Sequence, residues 1–144
     1  MPEAFTGRVG DTTALRARIE GPLAEWRERT QRESTKAIAW SFAGSMSSLL
    51  GHAGEAVESV RQATELMPVT RDALDGQEHR IWPAIVYALT GDNDRAIAEL
   101  ARYFEHPGQH TVAHIRGIAA FANLRGDPRF EALLDDPKNN APLF

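Results

Sequence analysis

Two apolar stripes at helical spacing lie within residues 36–68, KAIAWSFAGSMSSLLGHAGEAVESVRQATELMP, and Gly51-His52 separates them. The first stripe consists of Ile38, Phe42, Ala43, Met46, Leu49 and Leu50, and the second of Ala53, Ala56, Val57, Val60, Ala63 and Met67. Two amphipathic stripes joined by a tight glycine turn predict a helical hairpin over about 36–67. Pro68 ends the second helix because proline lacks the backbone N–H that a helix interior needs.

A second hairpin of the same design is predicted over about 80–105. Its apolar positions before and after Gly91 are Ile81, Trp82, Ile85, Val86 and Leu89, then Ala96, Ile97, Leu100, Ala101 and Phe104. Pro83 is tolerated in the first turn of a helix, so this helix is expected to begin near Arg80. Pro107-Gly108 closes the hairpin. The linker between the hairpins, VTRDALDGQEH, carries turn residues and can form a helical turn of its own.

A further helical segment precedes the hairpins, over about 12–33. Its stripe consists of Leu15, Ile19, Leu23 and Trp26, and Asp11 or Thr12 is the expected N-cap. Gly21-Pro22 interrupts this stripe and leaves two alternatives open. Either one helix kinks there, or one helix ends at Gly21 and another begins with Pro22 in its first turn.

The C-terminal part is predicted to form a helical cap over 111–135. Val112, Ile115 and Ile118 indicate short helices, with Gly117 as a break. Asp127-Pro128 is typical of an N-cap followed by proline at the first helical position. The helix it opens is expected to bury Phe130, Leu133 and Leu134. These boundaries predict one domain over 11–135, an N-terminal extension over 1–10, and a tail over 136–144 that is frayed or folded back through Leu143 and Phe144.

The composition excludes several classes of protein. The chain has 144 residues, a net charge of −4 and no cysteine, so it has neither disulfides nor thiolate metal sites. The mildly acidic balance argues against nucleic acid as the main partner. The longest apolar stretch, Trp82 to Leu89, is too short to span a membrane, and the N-terminus lacks the features of a secretory signal. We therefore expect a cytoplasmic location.

The two hairpins are copies of one pattern, because aligning Gly51 with Gly91 places Ala56 over Ala96 and Val60 over Leu100. The first hairpin resembles a tetratricopeptide repeat (TPR), a helical-hairpin repeat of about 34 residues. The residues that carry this resemblance are Trp40, Gly44, Gly51, Ala56, Ala63 and Pro68. Small residues at Gly44 and Ala56 let the paired helices approach closely. The second hairpin matches through Tyr87, Gly91 and Ala96, with about six residues inserted at TRDALDG.

The resemblance implies an all-α fold, a short right-handed superhelix of hairpins with a C-terminal helical cap. Residues 30–134 also resemble the C-terminal repeat region of bacterial multidomain signalling proteins. The runs that carry this likeness are ELMPVTRDALDG, YALTGDNDRAIAEL and LRGDPRFEALL. In those proteins the repeats follow a winged-helix, serine/threonine kinase or adenylate cyclase domain. The thirty residues before the repeats leave no room for such a domain, so the interaction module alone is expected here.

In the TPR family the first helix of each hairpin lines a concave groove that contacts partners. The matching positions here are Ile38, Ser41, Ser45 and Ser48, then Glu78, Ile81, Ile85 and Ala88. Ser41, Ser45 and Trp82 stand where some relatives clamp a peptide carboxylate with Lys, Asn or Arg side chains, so a chaperone-tail receptor is not expected. Trp82 departs from the family's usual residue and is the best candidate for an anchor. The alternative is that these small residues pack against a neighbouring helix or subunit.

Enzymatic chemistry finds little support. His110 and His114 are four residues apart, with His106 and Asp127 as possible further ligands, but Pro107-Gly108 separates His106 from the pair and no HExxH motif is present. We therefore predict no cofactor and no metal site that serves catalysis, and an enzyme with a histidine metal site is kept as a third, distant alternative. A GxSxG motif and a phosphate-binding glycine loop are also absent from the sequence.

The sequence thus predicts a non-enzymatic module that binds a protein or peptide segment in a concave groove. Apolar burial would supply the affinity, and Ser41, Ser45 and Ser48 would supply hydrogen bonds. The alternative is a homodimer that associates through the helix at 12–33, because short repeat stacks expose terminal faces that need covering.

Overall fold

The computed structural model describes residues 12–68, 70–71 and 73–140, and within them it contains helices and turns but no strand. The all-α prediction is confirmed. The helices are α1 (Thr12–Arg32), α2 (Ala37–Leu49), α3 (Ala53–Leu66), α4 (Ala73–Leu89), α5 (Asn93–Tyr103), α6 (Val112–Gly117) and α7 (Pro128–Asp135). Two 3-10 helices complete the order, Ala119–Leu124 before α7 and Pro137–Asn139 after it. The N-terminal extension, the proposed cap Asp11, and Leu143 and Phe144 lie outside the described residues.

Helix α1 runs without a break through Gly21-Pro22, so the single-helix alternative is the correct one. Ile19, Leu23 and Thr30 are buried along one side, and Trp26 is half-buried between them. The spacing of four, three and four residues places these side chains on one side of α1, and α1 packs against α2.

Helix α4 begins at Ala73, and the prediction of a start near Arg80 is wrong. Pro83 lies inside this helix and cannot donate a hydrogen bond to the carbonyl of His79. The helical turns before Pro83 nevertheless pack against the rest of the chain. His79 is hydrogen-bonded to Ser41 of α2, and Ile81 is part of the main core. Tertiary packing therefore outweighs the local effect of proline, and the residues inserted between the two hairpins lengthen α4 at its N-terminus.

Three turns of similar backbone geometry connect successive helices. Gly51, Gly91 and Gly126 have φ values of 80°, 85° and 85°, and a helix begins two residues after each. Glycine suits these positions because other L-residues reach positive φ only with strain. Asp92 and Asp127 then cap α5 and α7 by accepting hydrogen bonds from the backbone N–H groups of following residues.

The main core lies in the C-terminal half, where α4 packs against α5 and against the 3-10 helix at 119–124, and α7 packs against α5. Its buried side chains are Ile81, Ala84, Ala88, Ala96, Ile97, Leu100, Tyr103, Val112, Ile115, Phe121, Leu124, Phe130 and Leu134. A smaller cluster of Ala56, Val60 and Val86 joins α3 to α4. Helix α4 therefore connects the first hairpin to the rest of the chain.

Gly44 is the point at which α2 and α3 approach most tightly among the glycines of the described segment. A Cβ atom placed there would lie 2.9 Å from Val60 Cγ1 and 3.0 Å from the Ala56 carbonyl oxygen. Ala56 is itself fully buried. The predicted role of small residues at Gly44 and Ala56 is therefore confirmed.

The C-terminal segment follows the predicted pattern closely. Helix α6 ends at Gly117, and α7 opens with the Asp127 cap and Pro128 at its first position. Phe130 and Leu134 are buried, and Leu133 is half-buried. The first residues of the tail fold back, because the Asn139 and Asn140 side-chain amides donate to the carbonyls of Leu133 and Leu134.

Candidate functional site

An apolar face of α2 stands open to solvent. Among the side chains that the structure describes, the exposed large hydrophobics are Ile38, 45% exposed, and Leu49, 38% exposed. They are eleven residues apart, close to three helical turns, and therefore lie on the same side of α2. Phe42 and Ser45 lie between them on that side and are half-buried. We call these four residues the α2 face.

Three aromatic rings from three helices meet at the middle of the α2 face. Phe42 stacks on Trp26 of α1, with ring centroids 4.7 Å apart and an interplanar angle of 19°. The Phe42 ring also lies beside the Trp82 ring of α4, with ring centroids 5.8 Å apart and tilted planes. Arg29 lies over the Trp26 ring, 4.5 Å from its centroid. These contacts connect the α2 face to α1 on one side and to α4 on the other.

Three of the residues predicted to bind a partner are buried within the chain, and those predictions are wrong. Ser41 Oγ lies 3.0 Å from His79 Nδ1, and Ser48 Oγ donates to the Ser45 carbonyl at 2.6 Å. Both serines and Ile81 are almost inaccessible to solvent. The hydroxyls of Ser41 and Ser48 have hydrogen-bond partners inside the fold. These small polar residues therefore pack against a neighbouring helix, which was the alternative interpretation from the sequence.

Four predicted residues keep part of their surface. Ile38 is exposed, and Ser45, Trp82 and Ile85 are half-buried. The Ser45 hydroxyl already donates to the Ser41 carbonyl one turn earlier. Ala88 is fully buried, and the side chain of Glu78 lies outside the described part of the structure.

Sequence reasoning missed two residues of this surface, Phe42 and Leu49, because it took the groove positions of α2 from the TPR resemblance, and neither residue is at one of those positions. The signal was available, since Ile38, Phe42, Ser45 and Leu49 follow each other at steps of four, three and four residues. Which side of an apolar helix faces solvent depends on its neighbours, and α2 is apolar on more than one side.

A cavity of about 460 Å³ lies where α1, α2 and α3 meet, away from the α2 face. It is lined by Arg27, Glu28, Thr30, Gln31, Trp40, Ala43, Glu55, Glu58 and Ser59. Trp40 borders this cavity and donates from Nε1 to the Ser34 carbonyl at 2.9 Å.

An ion pair closes one edge of the cavity. Arg27 contacts both carboxylate oxygens of Glu55, at 2.6 and 2.5 Å, and this hydrogen bonding lowers the pKa of Glu55 despite partial burial. Glu28 and Glu58 form ion pairs with Arg32 and Arg61. Each carboxylate of the lining therefore has a basic neighbour.

His110 and His114 come together at the start of α6. Their Nδ1 atoms are 3.0 Å apart, and the rings meet edge to face at 4.5 Å. His106 and Asp127 do not join them, because the described residues contain no group of three histidine or acidic side chains placed to hold a metal ion.

None of the described helices combines the length and apolar character that a bilayer crossing requires. No protein-family model matches this chain, and neither the curated proteins nor the solved structures contain a significant match to it.

Proposed function

We propose that this chain is a non-enzymatic protein-interaction module that binds an apolar segment of a partner protein on the α2 face. The single observation that carries the proposal is the exposure of Ile38 and Leu49 on one side of α2. Contiguous exposed apolar surface is typical of interaction sites, and the half-buried ring of Phe42 lies between the two exposed side chains on this side of α2.

The chemistry of the partner segment follows from α2 itself. Helix α2, AIAWSFAGSMSSL, contains no charged residue. For a partner segment that lies along α2, the binding free energy becomes more favourable when apolar side chains are buried and less favourable when charged side chains are desolvated. Ile38 and Leu49 are about 16 Å apart along the helix axis, so the segment needs two apolar anchors at that separation. An amphipathic helix or an extended strand provides them.

The aromatic cluster beside the face supplies a preformed surface. Because Phe42 is held between Trp26 and Trp82, its ring loses little conformational freedom when a partner covers it. Trp82 and Ile85 extend the apolar surface onto α4 and remain the residues of α4 proposed to touch the partner.

The proposed architecture is a short TPR-like stack with a right-handed sense and a helical cap. It is supported by the repeated glycine turns at Gly51, Gly91 and Gly126 and by the packing of α4 against both helices of the preceding hairpin. In such a stack α2 and α4 are the first helices of successive hairpins, and their shared exposed surface is the groove.

The burial of its apolar stripe weighs against self-association through α1, the alternative from the sequence. Leu23 is 1% exposed, and Ile19 is also buried against the chain's own helices. A charge at Leu23 would therefore disrupt the monomer, so it cannot test a dimer. A homodimer that covers the α2 face instead is an outcome that the experiment below distinguishes.

The proposal is tested by selecting peptides from a display library against the purified chain. Selected peptides with two apolar anchors should bind the wild type and bind Ile38→Arg or Leu49→Arg roughly tenfold more weakly or worse. Ala98→Arg is the matched control, because Ala98 is exposed on α5. Circular dichroism should show all variants folded.

Two results would overturn the proposal. One is equal peptide binding by Ile38→Arg, Leu49→Arg and the control. The other is a wild-type dimer in light scattering that Ile38→Arg converts to a monomer, because a second copy of the chain would then cover the face.

A further inference from the structure

The pair His110 and His114 is held in place by two independent anchors. The backbone N–H of His110 donates to the buried Tyr103 hydroxyl of α5 at 3.1 Å. The backbone N–H of His114 donates to Thr111 Oγ1, the N-cap of α6, at 3.1 Å. The two imidazoles thus approach each other from fixed backbone positions.

The distance between the two ring nitrogens matches that of two ligands on one metal ion. Metal–nitrogen bonds of about 2.0–2.1 Å, set between a right angle and the tetrahedral angle, separate the nitrogens by roughly 2.9–3.4 Å. The Nδ1 atoms are 3.0 Å apart. We infer that His110 and His114 form a binding site for a divalent transition-metal ion, coordinated through both Nδ1 atoms.

The ligand set indicates the class of metal. Imidazole ligands suit Cu²⁺, Ni²⁺ or Zn²⁺, whereas Mg²⁺ and Ca²⁺ take oxygen ligands. His114 is exposed and His110 is half-buried, so water can occupy the remaining coordination positions. An ion held this way exchanges with solvent, unlike the ion of a closed four-ligand structural site.

Metal binding requires a defined change of protonation at the pair. A hydrogen bond between two Nδ1 atoms needs a proton on one of them, whereas coordination needs a lone pair on both. The proton leaves Nδ1 of one ring, and that ring takes the tautomer protonated at Nε2. The metal then replaces the hydrogen bond between the rings and joins the segment after α5 to the first turn of α6.

The test uses the full chain with Zn²⁺ in calorimetry and Cu²⁺ in electron paramagnetic resonance. We expect one ion per chain for the wild type, a coupling pattern from two nitrogens with Cu²⁺, and a rise in the melting temperature with either ion. His110→Ala and His114→Ala should each weaken binding roughly tenfold or more, because a second tethered ligand acts at high effective concentration.

His52→Ala is the matched control, because His52 is exposed at the start of α3 and belongs to another part of the chain. It should leave the affinity and the two-nitrogen pattern unchanged. Equal affinity in the wild type and both His110 and His114 variants would overturn the inference. So would the loss of binding in the His52 variant, or a one-nitrogen pattern in the wild type.

Discussion

Ser41 Oγ and His79 Nδ1 lie 3.0 Å apart across the contact between α2 and α4, and both side chains are buried. This hydrogen bond joins residues 38 positions apart in the chain. It also explains why α4 extends back past Pro83, since His79 belongs to the turns that precede the proline. A serine in a position expected to contact a partner thus holds two helices of the chain together.

Ser41→Ala should destabilise the fold by about 1 kcal/mol or more, because a buried hydrogen bond between two helices is lost. Ser45→Ala is the matched control on the same helix. Its hydroxyl bonds to a carbonyl one turn away, so the expected change is within about 0.5 kcal/mol. Urea unfolding measures both, and equal effects for the two variants would contradict the structural role of Ser41.

Gly44→Ala should destabilise the chain by roughly 1–3 kcal/mol, although alanine favours a helix more than glycine does. The added Cβ would meet Val60 Cγ1 at 2.9 Å and the Ala56 carbonyl oxygen at 3.0 Å. Gly54→Ala in α3 is the control, because nothing lies within 4 Å of its added Cβ. That variant should gain about 0.5–1 kcal/mol in the free energy of unfolding. If Gly44→Ala had the same free energy of unfolding as the wild type, α2 and α3 would be able to move apart at no cost, and the close contact at Gly44 would be contradicted.

Gly126→Ala should lower the melting temperature, because its φ of 85° costs an alanine about 1–2 kcal/mol. Gly117→Ala is the control nearby, since its added Cβ meets nothing within 4 Å and its φ is not positive. We expect the second variant to melt at or above the wild-type temperature. Thermal unfolding followed by circular dichroism distinguishes the two, and equal melting temperatures would contradict the turn at Gly126.

Stability should depend on pH through Glu58, whose pKa is lowered from 4.5 to about 2 by hydrogen bonds from Arg61 and Gln62. Because the folded pKa lies below the unfolded one, this contribution is complete above pH 4.5 and is lost as the pH falls towards 2. Glu58→Gln should therefore melt below the wild type at pH 7, and the difference should vanish near pH 2.

The Glu58 effect should also be modest and sensitive to salt, because the pair is exposed at the surface of α3. Melting curves at low salt and at about 1 M salt provide this check, since the Debye length falls to about 3 Å at the higher concentration. A difference between Glu58→Gln and the wild type that stays constant from pH 7 to pH 2 would contradict the assignment.

Helical periodicity was sufficient to predict most of the helices. The α2–α3 hairpin, the Asp127 cap of α7 and the close approach at Gly44 all rest on interactions between residues near in sequence or at repeat spacing. The start of α4 was mispredicted because a local rule about proline was applied where long-range packing prevails. The prediction of binding residues was less accurate than that of the helices, because Ser41, Ser48 and Ile81 are buried.

The amino-acid order alone sets the helical pattern, the glycine turns and the absence of disulfides, because each depends on local geometry or on composition. Tertiary structure decides which side of α2 faces solvent, that Ser41 meets His79, and that the Nδ1 atoms of His110 and His114 come to 3.0 Å. When a helix has apolar residues on several sides, its own sequence does not determine which side faces solvent. The neighbouring helices determine which side remains available to bind a partner.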